Sequence, residues 1–228
     1  KPTAEQLLKG YKPKQKDVDY DTPDAADMAK CTLALEKGSY VISNAAGQVL
    51  RRFTDSNGDS SPDMYRYYHM GLEVYREIDT NGDARTKKNL LADQYRWMNW
   101  GGTRWGVDED EDGRIDSWKI LSAQEAARIA VEAMTAGDLA RLNTVLLNDS
   151  DIRSLRLSAE MSKKLQEAVT DVPKKVQASM ANSKVMNKDS VWVRFDPPLP
   201  GMILGEDIGA ARDIVVYENA MAIVQNGE

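Results

Sequence analysis

Carboxylate side chains alternate along the segment between residues 108 and 116. They occupy positions 1, 3, 5 and 9 of a nine-residue loop, and a glycine stands at position 6, where such a loop must turn sharply. Carboxylates at alternate positions of a tight loop converge on one point, and hard divalent cations such as calcium take six to eight oxygen ligands. The sequence therefore predicts a calcium site whose ligands are the carboxylates of Asp108, Asp110, Asp112 and Asp116 and the backbone carbonyl of Arg114.

This loop differs from a helix-flanked EF-hand at its end. Position 12 is Lys119, where an EF-hand has a bidentate Glu, and no helical pattern flanks the loop. We expect water or another group to replace that ligand, and an affinity of about 10⁻⁵–10⁻³ M, the range of extracellular modules. Glu109 and Glu111 add charges that only Arg114 opposes within the loop, and close like charges repel by about 1 kcal/mol per pair even in a water-like dielectric. A bound cation would relieve that repulsion.

Two earlier segments repeat the pattern less completely. The first offers Asp55, Asn57, Asp59, the carbonyl of Ser61, and Asp63. The second offers Asp79, Asn81 and Asp83, has Lys87 at position 9, and could recruit Asp93 across an insertion. The third loop matches the calcium-binding pattern best, the first loop is next, and the second loop matches it least. We expect two to three calcium ions, with magnesium less favoured. The alternative is that each loop is an acidic Asn/Asp-Gly turn that needs no cation.

The elements that position these loops are also repeated. The acidic clusters begin 24 and 29 residues apart, and each is followed by a strand that opens with Asp and an aromatic residue two positions later. Before the first two clusters, an eight-residue strand starts at Gly47 and at Gly71. The unit is thus strand, tight turn, strand, acidic loop, and residues 38–121 are predicted to form an antiparallel β-hairpin meander of about seven strands. The aromatic residues are expected to pack across the strands.

Outside the repeats, the chain reads as an arm, a helical region and a second β segment. Residues 1–37 are predicted to form an arm with a short helix around residues 24–35, capped by Asp24. Residues 122–182 have helical periodicity, with a capping box at Ser122, helix ends at Gly137, and later starts at Ser158 and Pro173. Residues 183–228 contain strand patterns at 191–195, 214–217 and 220–224. The predicted class is α+β, and the unused turn signal at 226–227 leads us to expect that the chain continues.

Composition narrows the possible functions. The 228 residues have a net charge of −6, and residues 55–116 hold all of it, with fourteen acidic and eight basic residues. An acidic total argues against nucleic acid as the main partner, and no apolar run is long enough to cross a membrane. Cys31 is the only cysteine and His69 the only histidine, which excludes CxxC sites and two-histidine mechanisms. No nucleophile–base pair is visible for a carboxylate hydrolase, and Cys31 beside Lys30 is more simply an idle thiol than an activated one.

The acidic loops resemble those of dockerin, thrombospondin type 3 and integrin-type calcium repeats, all of which are extracytoplasmic modules. A broader resemblance, to the N-terminal region of exported bacterial thioredoxin-like proteins, is carried by residues 16–23, the DxNGD hairpins, and residues 95–107, 112–119 and 213–218. In that group a thioredoxin domain follows, but this chain has no CxxC, so the resemblance assigns it no redox activity. It implies export to the periplasm, the cell surface or the medium.

These observations lead to two expectations about function. The first is an extracytoplasmic calcium-binding structural or interaction module of a larger exported protein, whose partner is a protein or a cell-envelope component. The alternative is a non-catalytic accessory region of a thiol–disulfide oxidoreductase. We do not expect catalysis from this chain, because it shows no catalytic constellation.

Overall fold

The computed structural model describes residues 2–83, 92–183 and 185–227. The chain divides into two compact units, Lys1–Leu121 and Ser122–Glu228, and each is described by itself. Together the described residues contain eight α-helices, one short 3₁₀ helix (Trp100–Gly102) and twelve strands. No described helix has the length and apolarity that a membrane span requires.

The first unit is built on an antiparallel sheet of eight described strands. In chain order these are β1 (Thr32–Glu36), β2 (Ser39–Ser43), β3 (Val49–Thr54), β4 (Met64–His69), β5 (Leu72–Ile78), β6 (Gln94–Trp97), β7 (Arg104–Val107) and β8 (Ser117–Leu121). The six inner strands pair with the strands before and after them, and β1 and β8 form the edges, so the predicted α+β class with an antiparallel meander is confirmed. Residues 38–121 contribute seven of these strands, as expected, and β1 adds an eighth from the segment before them.

Side chains alternate between the two faces of this sheet. On β4, Tyr65 and Tyr67 are buried while Arg66 between them is half-buried, and β6 repeats this with Tyr95 and Trp97. The buried rings pack across strands: the Tyr75 and Trp97 ring centroids lie 5.2 Å apart. Such cross-strand pairs are the unit of sheet stabilisation, so most aromatic residues of the repeats form the core, as the sequence predicts.

The buried face of the sheet is covered by the N-terminal arm. It contains helices α1 (Ala4–Gly10) and α2 (Ala25–Met28), and Leu7 and Leu8 of α1 join the core cluster. Between the helices, the backbone N–H of Lys14 donates to Glu77 at 2.5 Å, and the indole N–H of Trp97 donates to the Lys16 carbonyl at 3.3 Å. The arm is therefore attached to the strands by both apolar contacts and hydrogen bonds.

The predicted helix around residues 24–35 is shorter in the structure. Asp24 caps α2 as expected, with its carboxylate accepting from the N–H of Asp27, but the helix ends at Met28. Thr32–Glu36 instead form β1, which pairs with β2 through a turn at Lys37 and Gly38. Both turn residues have positive φ, 44° and 75°, as a tight hairpin requires. Pairing in the sheet therefore overrides the helix propensity of this Ala- and Leu-rich segment.

The second unit contains the remaining elements. Its helices are α3 (Ala123–Ala136), α4 (Leu139–Asn143), α5 (Asp149–Leu155), α6 (Ala159–Thr170), α7 (Val172–Ala181) and α8 (Gly205–Ile208). Its strands are β9 (Val191–Asp196), β10 (Gly201–Ile203), β11 (Ile214–Val216) and β12 (Met221–Gln225), paired antiparallel as β9 with β12 and β10 with β11. Ser122 caps α3, Gly137 ends it with φ 68°, and Ser158 caps α6, as predicted. Helix α5 was not predicted.

Candidate metal centre

The three acidic loops lie along one edge of the eight-stranded sheet. They connect β3 to β4, β5 to β6, and β7 to β8, which are alternate connections of a meander and therefore fall at the same end of the strands. Backbone hydrogen bonds continue between the loop residues: Asp79 N–H donates to the Asp63 carbonyl at 2.8 Å, and Asp108 N–H donates to the Asp93 carbonyl at 2.9 Å. The sheet thus sets the loops side by side.

The third loop brings three carboxylates together. One oxygen each from Asp108, Asp110 and Asp116 lies within 4.8 Å of the others, and these three side chains could hold a metal ion. Asp108 is fully buried at the base of the loop, whereas Asp110 and Asp116 are exposed. Asp112, a fourth predicted ligand, is not in this group, and its carboxylate accepts from the N–H of Arg114 at 2.8 Å.

Backbone hydrogen bonds hold these carboxylates in place. Asp108 accepts from the N–H of Asp112 at 3.1 Å and of Gly113 at 2.8 Å, and its Oδ2 lies 3.4 Å from the Tyr95 hydroxyl. Asp116 accepts from Glu109 N–H at 2.7 Å, which closes the loop. Gly113 has φ 89°, a conformation that a side chain would strain. The loop is therefore a closed, hydrogen-bonded turn that presents oxygen atoms to one point.

Burial and neighbouring charges act on Asp108. Burial is the main cause that raises the pKa of the Asp108 carboxyl above its ordinary value, and the negative charges of Asp112 and Asp116 raise it further. The N–H groups of Gly113 and Asp112 oppose this shift because they stabilise the carboxylate. A cation at the carboxylate cluster would favour the charged form more strongly than these two hydrogen bonds do.

The first loop has a similar hydrogen-bond pattern, although Asp108 of the third loop accepts from the residues four and five positions later. In the first loop, the first carboxylate accepts from the residues three and five positions later, and the last carboxylate accepts from Ser56 N–H at 2.9 Å, as Asp116 does from Glu109. The predicted ligands in this turn are Asp55, Asn57, Asp59, Ser61 and Asp63. Within the described ranges, its Asp residues do not form a three-carboxylate cluster like that of the third loop. A metal ion in this loop stays a prediction.

The second loop is described only at its two ends. Asp79 accepts from Gly82 N–H at 2.8 Å, and Asn81 accepts from Asp83 N–H at 3.0 Å. Asp93 accepts from the N–H of Thr80 at 3.2 Å, so the structure places it where Asp63 and Asp116 stand in the other loops. Its return across the insertion is as expected, whereas Lys87 lies outside the described residues. Metal binding here also stays a prediction.

The loops contact one another through residues that the sequence analysis considered only within their own loops. The side-chain amide of Asn81 donates to Glu111 at 2.8 Å, and a Cβ on Gly82 would lie 3.1 Å from the Asn57 amide nitrogen. Glu111 has φ 59° and stands at position 4 of its loop, the position that Gly58 and Gly82 occupy in theirs. When the three repeats are aligned, Glu111 falls where the other two loops have glycine. This alignment is the sequence signal that could have identified Glu111 as a residue in a strained backbone conformation.

Cys31 does not have the surroundings of an activated thiol. Burial raises the pKa of its thiol, and the charge of Asp27 raises it further. Lys30, which could have lowered that pKa, forms an ion pair with Asp27 at 2.8 Å. Reactive thiols have a lowered pKa, so the environment of Cys31 favours an inert role.

Comparisons with protein-family models, with curated proteins and with solved structures found no match to this chain. The resemblances to calcium-repeat modules and to exported thioredoxin-like proteins therefore stay predictions from short motifs.

Proposed function

We propose that the chain is a calcium-binding structural or interaction module that acts outside the cytoplasm. The observation that carries this proposal is the cluster of Asp108, Asp110 and Asp116 oxygens within 4.8 Å, on a loop already closed by hydrogen bonds. Carboxylate oxygens are the ligands of hard divalent cations, whereas zinc and copper sites favour His and Cys.

Calcium suits this loop better than magnesium. Calcium accepts six to eight ligands in flexible geometry, so water and the Arg114 carbonyl can complete a site whose two outer carboxylates are exposed. Magnesium requires near-ideal octahedral geometry and dehydrates reluctantly. We assign one ion to the third loop first, and weaker sites to the first and second loops, which gives two to three ions in all.

The role of the ions is to stabilise the loop edge. A ligand at ten times its dissociation constant stabilises the folded state by about 1.4 kcal/mol per site. Such weak sites fill where calcium is plentiful, which supports a location in the periplasm, at the cell surface or in the medium. The partner we propose is a protein or a cell-envelope component. The redox-accessory alternative rests on the motif resemblance alone.

Thermal unfolding with calcium and with a chelator tests the proposal. We expect calcium to raise the melting temperature of the native chain, and Asp110→Asn to reduce that shift. Asn retains the oxygen that accepts from Asp112 N–H at 3.2 Å, so the turn is kept while a charged ligand is lost. The matched control is Glu109→Gln, a charge removed from the same loop outside the cluster. An unchanged melting temperature with calcium would reject the proposal.

A further inference from the structure

Four arginines stand directly opposite one another across four neighbouring strands. Arg52 of β3 pairs with Arg66 of β4, Arg66 with Arg76 of β5, and Arg76 with Arg96 of β6. We call these four residues the arginine row. Directly paired residues of an antiparallel sheet lie on the same face, and strands are about 4.8 Å apart, so the row spans about 14 Å in a straight line.

The row is incompletely neutralised. Arg52 lies 3.3 Å from Glu36, and Arg76 lies 2.6 Å from Glu73. Across the described parts of the chain, neither Arg66 nor Arg96 forms an ion pair. Like charges placed directly opposite in a sheet are destabilising, so four aligned guanidinium groups with two carboxylates are an unfavourable arrangement unless another group contributes negative charge.

The two unpaired guanidinium groups make poor contacts. Arg66 directs Nε and Nη2 at the Met64 sulfur, at 3.1 and 2.9 Å, although a thioether is a weak acceptor, and it also contacts the neutral Tyr68 hydroxyl. Arg96 lies over the Trp105 ring at 4.4 Å, and its Nε is buried with no hydrogen-bond partner among the described residues. Guanidinium groups bind carboxylates in a bidentate manner, and neither group has a carboxylate partner among the described residues.

We propose that this face of the sheet binds a linear acidic polysaccharide, laid across strands β3 to β6 with its carboxylates on Arg66 and Arg96. A line of cations at regular spacing is complementary to a polymer with regularly repeated carboxylates. The hydroxyl of Tyr68 contacts Arg66, and the amide oxygen of Gln94 accepts from Trp105 Nε1 at 3.0 Å and from Lys119 Nζ at 2.9 Å. Neither of these neutral groups opposes the positive charge of the row.

The same face is unsuited to nucleic acid. Non-specific binding of single strands uses free aromatic rings on which bases stack, but the Trp105 ring is flanked by Arg96 at 4.4 Å and Lys119 at 4.9 Å. Duplex binding requires a broadly basic domain, whereas this chain has a net charge of −6 and its acidic loops lie at the edge of the same sheet. A less densely charged polymer meets less repulsion there.

Calorimetric titration with hexagalacturonate, a linear sugar with one carboxylate per residue, tests the proposal. A chelator is present throughout, so that failure of the calcium sites does not affect the result. We expect saturable binding that added NaCl weakens, and no binding of the uncharged sugar maltohexaose. The double variant Arg66→Gln/Arg96→Gln is expected to bind at least about tenfold more weakly. The matched control is Arg153→Gln/Arg212→Gln, which removes two exposed arginines of the second unit and is expected to bind as the native chain does.

Other results would overturn the proposal. These are no binding of hexagalacturonate, equal binding by the native chain and the Arg66/Arg96 variant, or tighter binding of hexaglutamate or a single-stranded hexanucleotide. Arg66→Lys is a second variant that keeps the charge but loses bidentate geometry, and we expect it to bind between the native chain and Arg66→Gln. Because the double variant removes like-charge repulsion, its melting temperature is expected to equal or exceed the native value.

Discussion

The side-chain amide of Asn81 donates a 2.8 Å hydrogen bond to the carboxylate of Glu111, and this bond joins the second acidic loop to the third. Glu111 is 6% exposed and has the left-handed backbone conformation that its loop requires at that position. A buried carboxylate depends on its hydrogen-bond donors, so the two loops are not energetically independent.

Removal of this link is expected to destabilise the first unit. Asn81→Ala leaves the Glu111 carboxylate with one donor fewer, and a hydrogen bond to a charged group contributes about 1.5–3 kcal/mol. The matched control is Asn57→Ala, because Asn57 accepts from Asp59 N–H as Asn81 accepts from Asp83 N–H. Urea unfolding in chelator measures both variants. Equal losses of stability would contradict a role for the bond between the loops.

Ser60 is expected to be a site where glycine stabilises the protein. Its φ is 73°, at the position where the third loop has Gly113, and a left-handed conformation costs a residue with a Cβ about 1–2 kcal/mol. We expect Ser60→Gly to raise the free energy of unfolding by about 1 kcal/mol. Gly58→Ala, at φ 80° with open space around the added Cβ, is expected to lower it by a similar amount. Changes of the same sign in both variants would contradict this explanation.

Stability is expected to fall as the pH rises between about 4.5 and 7. Burial raises the pKa of Glu77 from 4.5 to about 7, although hydrogen bonds from Lys14 N–H and the Tyr75 hydroxyl oppose the shift. Between these pH values the folded protein keeps this proton, whereas the unfolded chain has released it. Rising pH therefore favours the unfolded chain, and the free energy of unfolding falls by about 3 kcal/mol across the range. Above that range the penalty is constant.

Glu77→Gln tests this linkage, because Gln keeps an acceptor oxygen without a titratable proton. Denaturant titrations at pH 5 and pH 8 are expected to differ less for this variant than for the native chain. Glu73→Gln is the control: Glu73 belongs to the same strand and pairs with Arg76 at 2.6 Å. A Glu77→Gln variant with the native pH dependence would show that another group is responsible.

Calcium is expected to stabilise the native chain more than magnesium at the same concentration. The exposed outer carboxylates and the wider ligand shell of calcium favour the larger ion, and magnesium retains its water. Parallel melting curves with each ion, at ionic strength matched by NaCl, provide the comparison. Equal shifts for the two ions would indicate general charge screening of the acidic edge and not a specific site.

Much of the meander could be predicted because its turns have strong local signals. Gly47 and Gly71 each have φ 80°, as the predicted hairpin turns require, and the acidic clusters mark the opposite ends of the strands. The same local logic predicted the ends of α3, where Ser122 and Gly137 act as caps. Features that depend on the chemistry of a few consecutive residues were accessible from the sequence.

Elements with unusual local residues were missed. Strand β1 depends on a turn in which Lys37 has φ 44°, although Lys is not a typical residue for that conformation. Helix α5 begins with a reciprocal cap between Asn148 and Asp151, which differs from the Ser/Thr and Glu/Gln form used for prediction. In both cases the structure uses a common motif with less common residues.

Relationships between strands were also inaccessible. The dipeptide Tyr-Arg occurs at 65–66, 75–76 and 95–96, but only the strand register shows that the three arginines are aligned. Likewise, the convergence of Asp108, Asp110 and Asp116 could be predicted within one loop, whereas the bond from Asn81 to Glu111 crosses 30 residues of chain.

The sequential strand order has a consequence for how the first unit folds. Because each described strand of the sheet pairs with its neighbours in the chain, most pairings close short segments of chain, and the relative contact order of the sheet is low for a β structure. Low contact order correlates with rapid folding, since little loop-closure entropy is lost before contacts form. The carboxylates of Asp108, Asp110 and Asp116 all belong to the hairpin of β7 and β8, so they can come together once these two strands have paired, before the bond from Asn81 to Glu111 joins this loop to its neighbour.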